Sequence, residues 1–221
     1  MDLAKKAAGK KAAEWIESGM IVGLGTGSTS AYFLEALIEK KLNIQVVSSS
    51  EATTKLAIKG GLKVIDINDA PHIDITVDGA DEIDAKKRMI KGGGGALLRE
   101  KILAASSKEM VVIVDESKFV DSVGHTKLPI EIIPYGSSTT KKRVESLGYK
   151  TTWRLGKTGA LYLTDNKNLI LDLHFLSPPI SPEKENDRIH QIPGVIDTGF
   201  FFGLAGRVII GYANGTVKVL P

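Results

Sequence analysis

Apolar runs at residues 20–24, 44–48, 64–67, 73–77 and 110–114 are separated by stretches of helical spacing, and this alternation leaves few folds open. A run that is apolar at nearly every position has no face for water, so as a strand it must be covered on both sides. Strands alternating with helices meet that demand as a parallel sheet clothed by helices. The spacing predicts helices over 4–16, stopped by Gly19, and over 30–39 and 51–59. The fold class is therefore α/β, with a Rossmann-like parallel-sheet domain. Ligands of such sheets sit beyond the carboxyl ends of the strands.

From about Leu128 the texture changes. Strands are expected at 129–134, 149–154, 160–163 and 169–173, with helices over 138–147 and from Ser181-Pro182 to His190. The Ser-Pro pair supplies a cap and a proline at the first helical position, and Asp165-Asn166-Lys167-Asn168 supplies a hairpin turn. Strands interleaved with two helices suggest a smaller α+β domain, ferredoxin-like, inserted before a C-terminal hairpin at 207–212 and 217–220. The expected division is 1–127 plus 197–221 for the Rossmann-like catalytic domain and 128–196 for the small one.

Four polar clusters follow apolar runs. The first, Gly23-Leu24-Gly25-Thr26-Gly27-Ser28, invites a dinucleotide reading, but its third glycine comes one residue early. The second strand ends in Ser48-Ser49-Ser50 where an acid for ribose hydroxyls is wanted, although Glu51 just beyond keeps that exclusion from being clean. The Lys-Ser/Thr of a nucleotide P-loop is also missing. What remains suits one phosphate monoester at a helix N-terminus, or equally a structural turn. The second, Asp78-Gly79-Ala80-Asp81-Glu82-Ile83-Asp84, could be a solvated acidic turn, a site for a hard cation, or a pair of acids, Asp78 and Asp81, facing sugar hydroxyls. An EF-hand spacing is absent, and His72, His125, His174 and His190 fall into no ligand spacing, so no metal is expected. The third cluster ends in Lys118, a residue type usually found at the surface.

The fourth cluster, Lys91-Gly92-Gly93-Gly94-Gly95-Ala96-Leu97-Leu98-Arg99-Glu100-Lys101, joins a glycine nest to a helix start. Consecutive glycines bring bare N–H groups close to a ligand, and the helix end adds partial positive charge. Side chains lean toward a helix's N-terminus, so Glu100 can reach back to the loop from apolar neighbours that suit a general base. A flexible linker followed by a surface helix, its Glu paired with Lys, is the plain alternative. With no G-x-S-x-G elbow, no cysteine and no histidine placed as an obvious base, a base, if the chain has one, is a carboxylate. The four clusters are expected to converge on one sheet edge.

Composition narrows the partners. The net charge of +3 is modest and the basic residues are scattered among acids, so no nucleic-acid partner is expected. No apolar run approaches transmembrane length, and 1–6 lacks the apolar core of a signal peptide, which leads to the expectation of a soluble, cytoplasmic protein without a membrane partner.

Taken together in order and spacing, Gly25-Thr26-Gly27-Ser28-Thr29, Asp78-Gly79-Ala80-Asp81-Glu82, Lys91 to Ala96 with Arg99-Glu100-Lys101, and Asp115-Glu116-Ser117-Lys118 closely resemble the type A ribose-5-phosphate isomerases. The resemblance spans nearly the whole chain, including Pro193-Gly194-Val195 and Phe202-Gly203-Leu204-Ala205. It implies interconversion of D-ribose 5-phosphate and D-ribulose 5-phosphate through an enediolate, with no metal or organic cofactor. It further implies Glu100 as the base, with Asp78, Asp81 and Lys91 in catalysis. Substrate contacts would fall at Thr26, Gly27, Ser28, Thr29, Asp78, Gly79, Ala80, Asp81, Lys91, Gly92, Gly93, Gly94 and Lys118, with Lys5 as a further phosphate ligand. A homodimer or homotetramer is also implied. Leu98 stands where some members carry Thr, and 196–198 is a less fixed part of the pattern; neither touches the proposed chemistry. A sugar-phosphate-binding regulator and a coenzyme A transferase-like enzyme share the wider fold and are the rival readings.

Overall fold

The apolar runs become the interior of a sheet: Val22, Val46, Val77, Val111 and Ile113 are completely or almost completely buried. The computed structural model describes residues 1–221. In chain order the first elements are α1 (Asp2–Ala13), β1 (Ile21–Leu24), α2 (Ser28–Glu39), β2 (Gln45–Ser48), α3 (Glu51–Lys59), β3 (Lys63–Val64) and β4 (Ile75–Asp78). Then come β5 (Glu82–Ile83), β6 (Met89–Ile90), α4 (Leu97–Ala105), β7 (Met110–Asp115), β8 (Leu128–Ile132), α5 (Ser137–Glu145), β9 (Lys150–Trp153) and β10 (Leu169–His174). The chain closes with α6 (Pro182–His190), β11 (Val195–Thr198), β12 (Phe200–Phe201), β13 (Ala205–Gly211) and β14 (Val217–Leu220).

The chain divides into two units. The first comprises Met1–Ala80, Arg99–Phe119 and Gly203–Pro221. Its seven-stranded sheet runs β14-β13-β7-β4-β1-β2-β3, and every pairing is parallel except that of the terminal strand β14. The order reverses beside β1, so the gap between the ends of β1 and β4 is the topological switch point of a Rossmann-like sheet. Ala8 and Ala12 of α1 pack with Phe33 and Leu37 of α2 over Val22 and Val77. A Cβ on Gly9 would come within 2.7 Å of the Phe33 nitrogen, so the close approach of these helices depends on that glycine. Leu103 of α4 packs with Ile21, Val47 and Ile73.

The second unit comprises Asp81–Leu98 and Val120–Phe202. Its sequence β8-α5-β9-β10-α6-β11 forms an antiparallel sheet of order β11-β8-β10-β9, the ferredoxin-like arrangement. Ile130, Ile132, Leu171 and Leu173 fill its core with Val144 and Ile189 of the helices. A further three-stranded sheet, β12-β6-β5, belongs to the same unit, and Ile90 and Phe200 extend the core into it.

This division differs from the expected boundaries at 128 and 196. Phe200 and Phe201 pair with Ile90 and Met89, and the buried Glu82 carboxylate accepts N–H bonds from Gly124 at 2.6 Å, His125 at 3.2 Å and also Thr126. Strands of two residues carry no readable period, so the sequence gives no sign of them. Two local expectations also change. The run at 64–67 is strand only at Lys63–Val64, because the Asp66 carboxylate takes the Asn68 N–H at 2.8 Å and starts a 3₁₀ turn. Residues 160–163 make single bridges, Leu155 with Leu161 and Leu163 with Leu169, in place of a strand.

Candidate active site

In the first unit, three of the four clusters follow the carboxyl ends of adjacent strands. Thr26 to Thr29 follow β1, Gly79 and Ala80 follow β4, and Lys118 closes a 3₁₀ turn after β7. Asp78, the last residue of β4, is 1% exposed. Its Oδ1 accepts the Gly79 N–H at 2.7 Å, the Ser30 hydroxyl at 3.1 Å and the Thr26 N–H at 3.2 Å. One carboxylate oxygen thus ties the β4 loop to the β1 loop across the switch point. Gly25 makes room for it, since a Cβ there would overlap the carboxylate.

The Thr26 hydroxyl is turned toward β2 and α3, within 2.8 Å of both the Ser49 and Ser50 hydroxyls and 3.3 Å of the Thr53 hydroxyl. Its side chain therefore braces the loop. Gly27, with φ of 131°, precedes α2, and Ser28 is exposed at the first position of that helix. The Lys5 ammonium donates to the Ser28 hydroxyl at 3.0 Å, which brings a cation to the N-terminus of α2. Such an end attracts anions through its unpaired N–H groups and the helix dipole.

Glu100 lies on α4 and is 3% exposed. Leu103 and Ala104, three and four residues on, are buried on the same face, so the helix itself presents the carboxylate inward. Asp115, at the end of β7, is buried and accepts the Ser117 N–H at 3.0 Å, which sets the turn carrying Lys118.

In the second unit, the glycine cluster forms a tight turn closed by the Gly95 N–H on the Gly92 carbonyl at 3.0 Å. Gly92 and Gly95 take φ of 98° and 86°, a conformation that L side chains rarely adopt. Gly93 and Gly94 are exposed at the tip. The Gly93 N–H donates to Asp81 Oδ2 at 2.7 Å, so of the expected backbone donors this one is committed to the acidic loop. Lys91 is 2% exposed, with its ammonium 5.5 Å from the centre of the Phe201 ring, a cation–π distance. Its backbone N–H donates to the Gly199 carbonyl at 2.8 Å.

The family model described as Ribose 5-phosphate isomerase A (phosphoriboisomerase A) matches residues 45–215 of this chain. The chain belongs to this isomerase family. A ribose-5-phosphate isomerase A from Protochlamydia amoebophila is 46% identical over 220 residues, which cover 98% of this chain and 95% of the relative. The solved ribose 5-phosphate isomerase from Plasmodium falciparum matches with a TM-score of 0.94 at 36% identity, over 100% of this chain and 98% of that one. A D-ribose-5-phosphate isomerase solved in complex with phospho-erythronic acid matches with a TM-score of 0.93 at 37% identity, over 98% of this chain and 97% of that one.

The residues that hold the loops carry little signal in the sequence. Ser30, which bonds Asp78, and Ser49, Ser50 and Thr53, which bond Thr26, brace the first unit's loop, and the last three show in the sequence only as an excess of hydroxyls after β2. Arg154 and Tyr162 bond the glycine turn of the second unit from 61 to 68 residues away, and nothing in the local pattern marks them.

Proposed function

We propose that this chain interconverts D-ribose 5-phosphate and D-ribulose 5-phosphate, with Glu100 as the base that carries the proton between C2 and C1. The observation that carries the assignment is a buried carboxylate on the helix that begins directly after a glycine turn. Glu100 takes the proton from C2 of the open-chain aldose. The electron pair forms the C1–C2 double bond and the C1 carbonyl oxygen becomes the oxyanion of an enediolate. The proton of the C2 hydroxyl passes to O1, and Glu100 returns its proton to C1, leaving the ketone at C2.

Lys91 and the backbone donors of Gly92 and Gly94 stabilise the oxyanion, while Gly93 spends its N–H on Asp81. Asp78 and Asp81 orient the C1 to C3 oxygens and assist ring opening, with the backbone of Gly79 and Ala80 beside them. Gly27, Ser28 and Thr29, with Lys5 and Lys118, hold the phosphate, and Thr26 shapes their loop. Phospho-erythronic acid, the ligand of the solved relative, supports this reading, because a four-carbon acid phosphate places a planar carboxylate where a pentose phosphate would carry an enediolate. No metal or organic cofactor takes part in any of these steps.

The test is conversion of ribose 5-phosphate by the purified chain, followed by NMR. Binding without turnover would favour a sugar-phosphate regulator, and a glutamyl thioester trapped with an acyl coenzyme A would favour a transferase.

No helix is long and apolar enough to cross a membrane. We infer that the chain works in the cytoplasm as a homodimer or homotetramer. Almost fully exposed Tyr135, Leu176 and Ile180 in the second unit support self-association, which sedimentation velocity would measure.

A further inference from the structure

Four glycines in succession make the most freely rotating backbone a chain can have, yet an oxyanion site works only when its donors are fixed before charge develops. Something must hold the turn, and its carbonyl side shows what does. Arg154, which follows β9, donates from Nη1 to the Gly92 carbonyl at 2.7 Å and to the Gly93 carbonyl at 3.0 Å. Its Nε donates to Asp172 Oδ2 at 3.1 Å and its Nη2 to Asp172 Oδ1. Lys127 completes the group with a bond to Asp172 Oδ2 at 2.7 Å. The Tyr162 hydroxyl lies 3.3 Å from the next carbonyl, that of Gly94.

The side chains of Arg154 and Asp172 are 9% and 3% exposed. A buried ion pair is weak as a source of stability, because desolvation offsets much of the attraction. What the pair does supply is a guanidinium fixed in one plane by the carboxylate fork, with its remaining nitrogen aimed at two successive peptides. In a trans peptide the N–H points opposite to the C=O. Holding the Gly93 carbonyl therefore sends the Gly94 N–H to the side away from Arg154, while the Gly92–Gly93 peptide is pinned at both ends, by Arg154 and by Asp81. A cation on the carbonyl also polarises each peptide and strengthens its N–H as a donor.

We propose that Arg154, locked by Asp172 and assisted by Tyr162, is a positioning residue that pre-organises the glycine turn for the enediolate oxyanion. It touches no substrate. The inference rests on the reading of this turn as the oxyanion site.

The experiment compares Arg154→Lys, Tyr162→Phe and Lys91→Ala with wild type in steady-state kinetics, alongside circular-dichroism melts. A lysine can still pair with Asp172, but its point-like ammonium cannot hold the carboxylate fork and both carbonyls in one plane. Arg154→Lys is expected to lower kcat on the order of 10- to 100-fold while KM stays within about threefold, because the loss falls on the transition state. Tyr162→Phe keeps its ring against Gly95 and should lose roughly 2- to 10-fold in kcat. In Arg154→Ala, added guanidinium ion is expected to restore part of kcat, saturably and without changing KM. A folded Arg154→Lys with wild-type kcat, or one whose whole loss is in KM, overturns the inference if Lys91→Ala is still impaired. Wild-type kcat in both variants instead removes the oxyanion reading. Should Arg154→Lys fail to fold, wild-type kcat in Tyr162→Phe overturns the inference and the expected loss sustains it.

Discussion

Asp81 and Gly93 are joined by a 2.7 Å bond in which the glycine N–H donates to the carboxylate, twelve residues apart in the chain. Asp81 and the glycine turn are thus tied together within the second unit, and a change in the first should be felt in the second. Asp81→Ala is expected to lower kcat about 10- to 100-fold, the worth of a charge-assisted bond that fixes a donor-bearing turn. Steady-state kinetics decide it: wild-type kcat would show that the turn needs no such tie.

Lys91→Ala removes a buried ammonium and should reduce kcat on the order of 10²- to 10³-fold, as for a lost oxyanion donor. A rise in KM with kcat intact would instead limit Lys91 to binding substrate.

How far this arrangement can be read from residues depends on distance along the chain. The sheet was legible because apolar runs such as 110–114 have no face for water, and the ferredoxin-like unit because its strands and helices keep recognisable lengths. Asp78, Asp81 and Lys91 stand out as candidates because they sit in compact motifs. Arg154 was not, since it reaches the turn from 61 or more residues away, and no periodicity encodes which arginine will find a carbonyl. The small sheet of β5, β6 and β12 escaped for the opposite reason, as two residues are too few to show a pattern. Thr26 lies in the loop after β1, but its hydroxyl faces Ser49 and Ser50, an orientation that only the packing of β2 and α3 decides.

Gly25→Ala tests space where backbone strain is not the issue. The new methyl would overlap the Asp78 carboxylate, so the variant should lose about 1–3 kcal/mol of stability and much of its activity together. Urea denaturation with parallel assays checks this, and an unaltered midpoint would mean that the β4 end yields easily.

Acid sensitivity should trace in part to Asp74, outside the active-site loops. Burial pushes its carboxyl up, but the Lys108 ammonium at 2.7 Å, the Ile21 N–H at 2.9 Å and nearby His72 outweigh that and hold it below the ordinary carboxylate value. A depressed folded pKa contributes stability that is complete above the unfolded value and is lost as pH falls through the folded one. Asp74→Asn should therefore flatten the acid limb of the stability curve below about pH 5 while leaving turnover at pH 7 unchanged. Superimposable acid limbs for the two proteins would contradict this.

The most direct test of the account is NMR of ribose 5-phosphate in D₂O with EDTA-treated protein, wild type against Glu100→Gln. The account predicts ketose formation with deuterium entering beside the carbonyl in wild type, and a loss of both by roughly 10²- to 10⁴-fold in the variant, the usual worth of a positioned base. Near-normal conversion and exchange by a folded Glu100→Gln protein would contradict it.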